Sequence, residues 1–366
     1  MASLSQTYHD VTKVDRSAFS LSAGLSAAAF VTVPLLLGIV TGQLAALIYT
    51  TLGALIITNT EGTKDTPTPL RVMLVASATE SLAFGLGTLA GTTGLAIIPL
   101  VGVGVFTGLL LAIYPGYAPA AMQTAIFFAI GARLPGGSVS VVDDRVVFSL
   151  LGGLWGMFGV TTHRFVDARR ASPKDPGAVP STPSSSVRSP GSLFQNDAFR
   201  HAVIVGVASS IGLSIGLGLG LVRDFWVVVT IIIALRPGLA TTVDYTTMIV
   251  IGTALGAVMA AAVTLEVTAE YTLWLILFAV AIAFFSTRGT NLAVSQVFLT
   301  PFIIILLNVL YPGHWQLAEA RILDVLIGGA VALAMVYVLF VRDFLNIVRQ
   351  KQRHPAQARA AVCAKC

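Results

Sequence analysis

The feature that most constrains this chain is a succession of apolar runs long enough to cross a lipid bilayer. Spanning the hydrocarbon core by a helix takes about 20 predominantly apolar residues. Such runs, or shorter relatives of them, fall at 18–40, 44–58, 72–90, 94–114, 117–134 and 146–163, and again at 202–221, 225–236, 246–266, 271–287, 291–311 and 322–341. Composition leaves no aqueous alternative: 55% of the 366 residues are hydrophobic and 11% are charged, against roughly 25% charged in soluble domains. The first run follows Lys13 and Arg16 but continues from Ala18 to Val40. It is too long for a signal-peptide core and reads as an uncleaved first span.

The expected fold is therefore all-α integral membrane, with about twelve transmembrane helices arranged as two parallel six-helix repeats. Residues 1–166 form the first half and 199–344 the second. Between them, 167–198 is rich in Pro and Ser and reads as a disordered linker. Residues 345–366 form a basic tail. The net charge of +5 is spread over short loops without a basic stripe, so it argues for topology and against nucleic acid. With the N-terminus inside, 18 of the 22 Lys and Arg residues fall on the cytoplasmic side, and only Arg133, Arg145, Arg223 and Arg321 fall outside. This positive-inside bias places both termini and the linker in the cytoplasm of a plasma (inner) membrane protein.

The repeat rests on matched segments. Arg145-Val-Val-Phe-Ser-Leu-Leu-Gly-Gly153 aligns with Arg321-Ile-Leu-Asp-Val-Leu-Ile-Gly-Gly329, Gln123 with Gln296, and Arg16 with Arg200. Six spans per half start both halves on the same side, so the repeat is parallel and not inverted. Small residues at helical spacing (Gly212, Gly216 and Gly220; Gly252, Gly256 and Ala260; Gly152 and Gly156; Gly87 and Gly91) suit close helix packing in lipid.

Motif matches separate into decoys and candidates. Gly212-Leu-Ser-Ile-Gly216 has the spacing of a nucleophile elbow but lies inside an apolar helix, where that strand-to-helix turn cannot form. Cys363 and Cys366 are two of the four ligands a closed zinc site needs, with His354 as the nearest third. No enzyme, cofactor or metal site is expected. Glu80 carries more information. It lies nine residues beyond Arg71, roughly 13 Å into the bilayer at 1.5 Å per residue. A carboxyl at that depth is a candidate proton carrier. The second run of each half is short, and paired short segments point to broken or re-entrant helices along a transport path. The second of these ends in Arg236-Pro237-Gly238, which stops the helix and leaves a guanidinium able to grip a carboxylate bidentately. Asp244, Arg288 and Asp324 are further charges near span ends, and Gln123 and Gln296 lie deeper as hydrogen-bonding groups.

The segments Trp226-Val-Val-Val-Thr-Ile-Ile-Ile-Ala-Leu-Arg-Pro-Gly238, Ile251-Gly-Thr-Ala-Leu-Gly-Ala257, Phe298-Leu-Thr-Pro-Phe-Ile303 and Arg321 to Gly329 resemble the fusaric acid resistance family of membrane proteins, most clearly over 200–340. The resemblance implies an exporter of aromatic carboxylic acids and similar anions. It also implies kinship with plant aluminium-activated malate channels, six-helix proteins that pair around an anion pore, so that two fused halves would do the work of a dimer. Arg236 and Pro237 match the family's Arg-Pro positions.

Together these readings give an exporter of small organic anions. Arg71, Arg236 and Arg288 gather the anion from the cell interior, with Pro237, Gln123 and Gln296 lining the path, and Glu80 couples transport to protons. A passive anion channel and a non-transporting scaffold are the alternatives. The expected partners are the anion, the lipid bilayer and further copies of the chain.

Overall fold

The computed structural model describes residues 14–61, 68–134, 136–170, 196–310 and 315–353. Among them are twelve α-helices and no strand. In chain order they are α1 (Leu21–Thr41), α2 (Leu44–Thr60), α3 (Leu70–Ala90), α4 (Ile97–Leu109, extended by a 3-10 turn), α5 (Ala118–Arg133), α6 (Val142–Arg170), α7 (Asp197–Gly218), α8 (Phe225–Ala234), α9 (Leu239–Glu266), α10 (Glu270–Thr287), α11 (Leu292–Leu310) and α12 (Gln316–Arg353). Nine helical stretches among the described residues are long and apolar enough to cross a membrane. Helix α4 is among them only with its flanking 3-10 turns, and the helices outside the nine are α2, α5 and α8. Helix α5 lies one residue inside the expected 117–134 at each end. Helix α6 continues past the expected boundary at 166, and α12 continues as helix to Arg353, into the stretch expected to be a loose tail. Most of the expected linker, together with His354, Cys363 and Cys366, lies outside the described residues.

The surface is that of a membrane protein. Leu25, Leu37, Leu82, Leu151, Val258 and Leu275 all point outward. Some buried hydroxyls within the helices satisfy themselves on the preceding turn: Thr32 donates to Ala28 O at 2.9 Å and Thr230 to Trp226 O at 2.8 Å. Without water in the hydrocarbon core such polar groups must find partners inside the protein. Pro34 in α1 shows the same rule. It has no N–H to give the carbonyl of Phe30 one turn back, and the indole of Trp155 on α6 donates to that carbonyl at 2.8 Å. Trp274 of α10 donates to Thr32 O at 3.0 Å, so indoles from both halves fasten α1.

Helix packing follows one scheme in each half. Helix α3 packs on α5 and α6, and α9 on α11 and α12; α2 packs on α6, and α8 on α12; α4 packs on α5, and α10 on α11. Across the halves the arrangement is crosswise, with α1 on α10 and α7 on α4. Glycine allows the closest approaches. A Cβ on Gly152 would stand 2.1 Å from Thr50 O of α2, and one on Gly252 would stand 2.4 Å from Ala293 O of α11. Gly212 faces Ile231 and Val227 of α8, and Gly216 faces Asp224, the residue that precedes that helix. Gly220 lies beyond the end of α7 with φ +67°, so it turns the chain and does not continue that helical spacing. The G-x-S-x-G match is inside α7, which removes the elbow geometry.

The helix ends define two faces. The linker face carries the end of α6 and the start of α7, along with the start of α1 and the ends of α2, α8 and α10. Ser20 N–H donates to Ser286 O at 3.2 Å at that end. The far face carries the ends of α3, α5 and α7 and the starts of α6, α8 and α12.

Candidate functional site

Helix α8 organises the first candidate site. At ten residues it is about 15 Å long, half the thickness of a ~30 Å hydrocarbon core, and every residue in it except Ile233 is buried. Leu235 is extended, Pro237 follows, and Gly238 takes φ +107°, so the helix stops where the sequence says it must. The Thr242 hydroxyl closes the break: it accepts from Arg236 N–H at 3.1 Å and donates to Arg236 O at 2.9 Å. The Arg236 side chain is half-buried and lies over the Tyr245 ring, 4.6 Å from its centroid. One terminal nitrogen reaches Met122 Sδ at 4.0 Å, and its Nε is buried with no hydrogen-bond partner. Its charge also acts on His201 at the start of α7. No carboxylate pairs with it among the described residues. Pro237 and Arg71 are exposed.

Met122 leads from this break into the first half. The next residue, Gln123, is buried, and its carbonyl oxygen has no partner. Thr124 follows and shares a 2.7 Å hydrogen bond with Thr79 of α3. Adjacent to Thr79 is Glu80, at the midpoint of α3, fully buried, with neither carboxylate oxygen hydrogen-bonded. Glu80 and Gln123 thus share a depth on two packed helices without being bonded to each other. Gln296 occupies the matching place on α11: it is buried against Gly252 of α9, and its carbonyl oxygen also lacks a partner.

Arg288 stands apart from this group. It follows α10 and donates to the carbonyls of Thr58 and Glu61, so it caps the end of α2. Glu61 is held by Arg164 of α6, with contacts of 2.6 Å to each oxygen. These groups line a cavity of about 90 Å3 on the linker face, together with Phe30 and His163. Burial pushes the Arg288 guanidinium down to about 10 while Glu61 pulls the other way, so it stays protonated at neutral pH.

A third charged group lies at the far face. Arg133, ending α5, grips Asp224 at the start of α8 through Nε (2.8 Å) and Nη2 (2.8 Å). Arg321 of α12 lies over the Trp226 ring, with Asp324 one turn further on. Asp324 lies about two turns into α12 from its far-face end and is fully buried. In the first half Arg145 is fully buried and donates to Thr88 Oγ1 and to the carbonyls of Gly131 and Leu134, joining α3, α5 and α6. The pairs Arg133–Asp224 and Arg164–Glu61 join residues 91 and 103 positions apart. No local spacing announces them.

The apolar helices and the ionisable groups buried among them define a polytopic α-helical integral membrane protein. Residues 207–335 match the family model described as fusaric acid resistance protein-like, so the resemblance seen in the second half is borne out on that segment. The chain is also similar to the inner membrane protein YccS of Escherichia coli (strain K12), at 28% identity over 157 residues, 42% of this chain and 22% of that relative. The match thus spans about a fifth of the relative's length. Its description and the apolar helices both support an integral inner-membrane location. No solved structure matches.

Proposed function

We propose that this protein exports small organic anions of the aromatic carboxylate kind across the inner membrane, with the linker face in the cytoplasm. The observation that carries the reading is Arg236. It is a guanidinium at the broken end of a buried half-length helix, with no carboxylate partner and an unused buried nitrogen. A planar carboxylate supplies the acceptor that this group lacks, and the Tyr245 ring beside it offers an aromatic surface to the rest of the molecule. The distribution of Lys and Arg supports the orientation. The matching packing of α3 with α5 and α6, and of α9 with α11 and α12, supports two parallel repeats about an axis through the membrane.

Proton coupling is assigned to Glu80. A carboxyl at mid-helix with neither oxygen bonded is costly in lipid unless it is neutral or faces a path. Thr79 and Thr124 connect its level to that of Gln123 and Met122 below Arg236. Gln296 is the second-half counterpart of Gln123 on that path, and Arg71 and Arg288 add positive potential at the entrance.

The test is uptake of benzoate-like and dicarboxylate anions into sealed proteoliposomes with an internal pH dye, comparing wild type, Arg236→Ala and Glu80→Gln. Saturable flux with opposing proton movement, lost in both variants, is the expected result. Flux that follows membrane potential and survives Glu80→Gln marks a passive channel, and no flux for any anion returns weight to a scaffold.

A further inference from the structure

We infer that Arg321 and Trp226 form a second carboxylate-binding subsite near the far face, and that filling it is linked to uptake of a proton by Asp324. The inference rests on the reading that the chain carries organic anions, and it locates where the anion stands before release.

Arg321 and Asp324 lie one turn apart on α12, 9% and 0% exposed. Charges at this spacing ordinarily bond to each other. Here Arg321 Nη1 is buried without a partner, and so are both oxygens of Asp324. Buried charges left unsatisfied are among the costliest features a protein can hold. The Arg321 Cζ sits 5.1 Å from the centroid of the Trp226 ring. The indole thus covers one side of the guanidinium, and the donor left without a partner, Nη1, is the one a carboxylate oxygen would take.

The first half shows that the free donor is specific to this site. Arg145 occupies the matching position in the repeated segment, but Thr88, Gly131 and Leu134 accept from its nitrogens. Where the second half has Asp324, the first has Phe148. The other nearby acid does not compete for Arg321, because Arg133 holds Asp224 through both oxygens.

Charge requires the proton. Arg321 and Asp324 together are neutral, and a bound carboxylate would leave the site with one excess negative charge in a water-poor setting. One proton taken by Asp324 from the far-side solution restores neutrality. The charges acting on Asp324 are Arg321 on its own helix and Asp224 at the start of α8, the latter backed by Arg133 from α5. Helices α7 and α9 also pack on α12, but their ionisable residues lie elsewhere. Asp197, Arg200, His201 and Asp244 are toward the linker face, and Glu266 is exposed at the end of α9.

The experiment is benzoate binding to the full chain in micelles, read by tryptophan fluorescence. The Trp226 contribution is isolated by difference from Trp226→Phe. Between about pH 6 and about pH 8, where benzoate stays ionised, wild-type affinity should rise as pH falls, approaching about tenfold per pH unit for one linked proton. Asp324→Asn should bind with a flat pH profile. Arg321→Gln and Arg321→Lys should each weaken binding about tenfold or more, the lysine because it cannot present a planar fork. Asp324→Asn and Arg321→Lys carry the test if Arg321→Gln fails to fold. A pH-independent wild-type curve, undiminished affinity in Arg321→Lys, a signal that survives Trp226→Phe, or no saturable signal each overturns the inference. Transport by Arg236→Ala is measured separately, so loss of the export reading and loss of this subsite give different patterns.

Discussion

Arg133→Ala and Asp224→Ala remove the same ion pair but should not cost the same. The Asp224 side chain is 2% exposed and that of Arg133 is 31% exposed. Truncating Arg133 strands a buried carboxylate whose two oxygens had bidentate contacts at 2.8 Å, a loss of about 3–5 kcal/mol. Truncating Asp224 leaves an arginine that can turn to water, so the loss is roughly 1.5 kcal/mol, the lower end for a hydrogen bond to a charged group. It also removes the repulsion that Asp224 exerts on Asp324, which softens the loss further. The double variant strands nothing and should be more stable than Arg133→Ala alone, so the cycle is strongly non-additive. Unfolding in micelles, followed by near-UV signal against denaturant, measures all four species. Equal single losses, or losses that add, would refute the argument that burial of the acid sets the cost.

Trp155→Phe should lose roughly 0.5–1.5 kcal/mol by freeing the Phe30 carbonyl. That loss should nearly vanish in a Pro34→Ala background, where the backbone can take the bond back; a micellar melting cycle reads both. Gly152→Val should cost about 1–3 kcal/mol or more by forcing α2 and α6 apart, against little change for Gly218→Ala, which meets nothing within 4 Å. Arg145→Met should be among the most destabilising single changes, about 3 kcal/mol or more, because three acceptors on two helices lose their donor at once; size-exclusion recovery after heating checks it. Arg236→Ala should abolish saturable anion flux while leaving the melting temperature within a few degrees of wild type. A fold-wide loss of stability would instead make Arg236 a structural residue.

Much of the fold could be read from hydropathy because lipid imposes one rule, that the backbone satisfies itself within each segment. The end of α8 was legible for the same kind of local reason: Pro237 removes a donor and Gly238 supplies the positive φ. Glu80 could be placed deep by counting from Arg71. What could not be read was which distant groups meet. The sequence marked Arg288 as a charge near a span end, but its partners are the terminal carbonyls of α2, 227 and 230 positions away, and backbone acceptors leave no trace in residue type. The burial of Asp324 was not legible, because hydropathy averages over a helix and does not tell its buried stripe from its lipid-facing one.

The crosswise embrace of α1 by α10 has a consequence for how the chain is made. Helix α1 enters the membrane well before α10, its main partner in the second half, which is not synthesised until about 230 residues later; at about 5–20 residues per second that is on the order of tens of seconds. Through that interval the stretch of α1 around Gly24, which finally lies against Ser286, and the Thr32 carbonyl that Trp274 will take face lipid or a chaperone. The nascent first half is therefore an assembly intermediate with an open seam. Quality control at the insertion machinery has a defined feature to recognise in any chain that stops before α10.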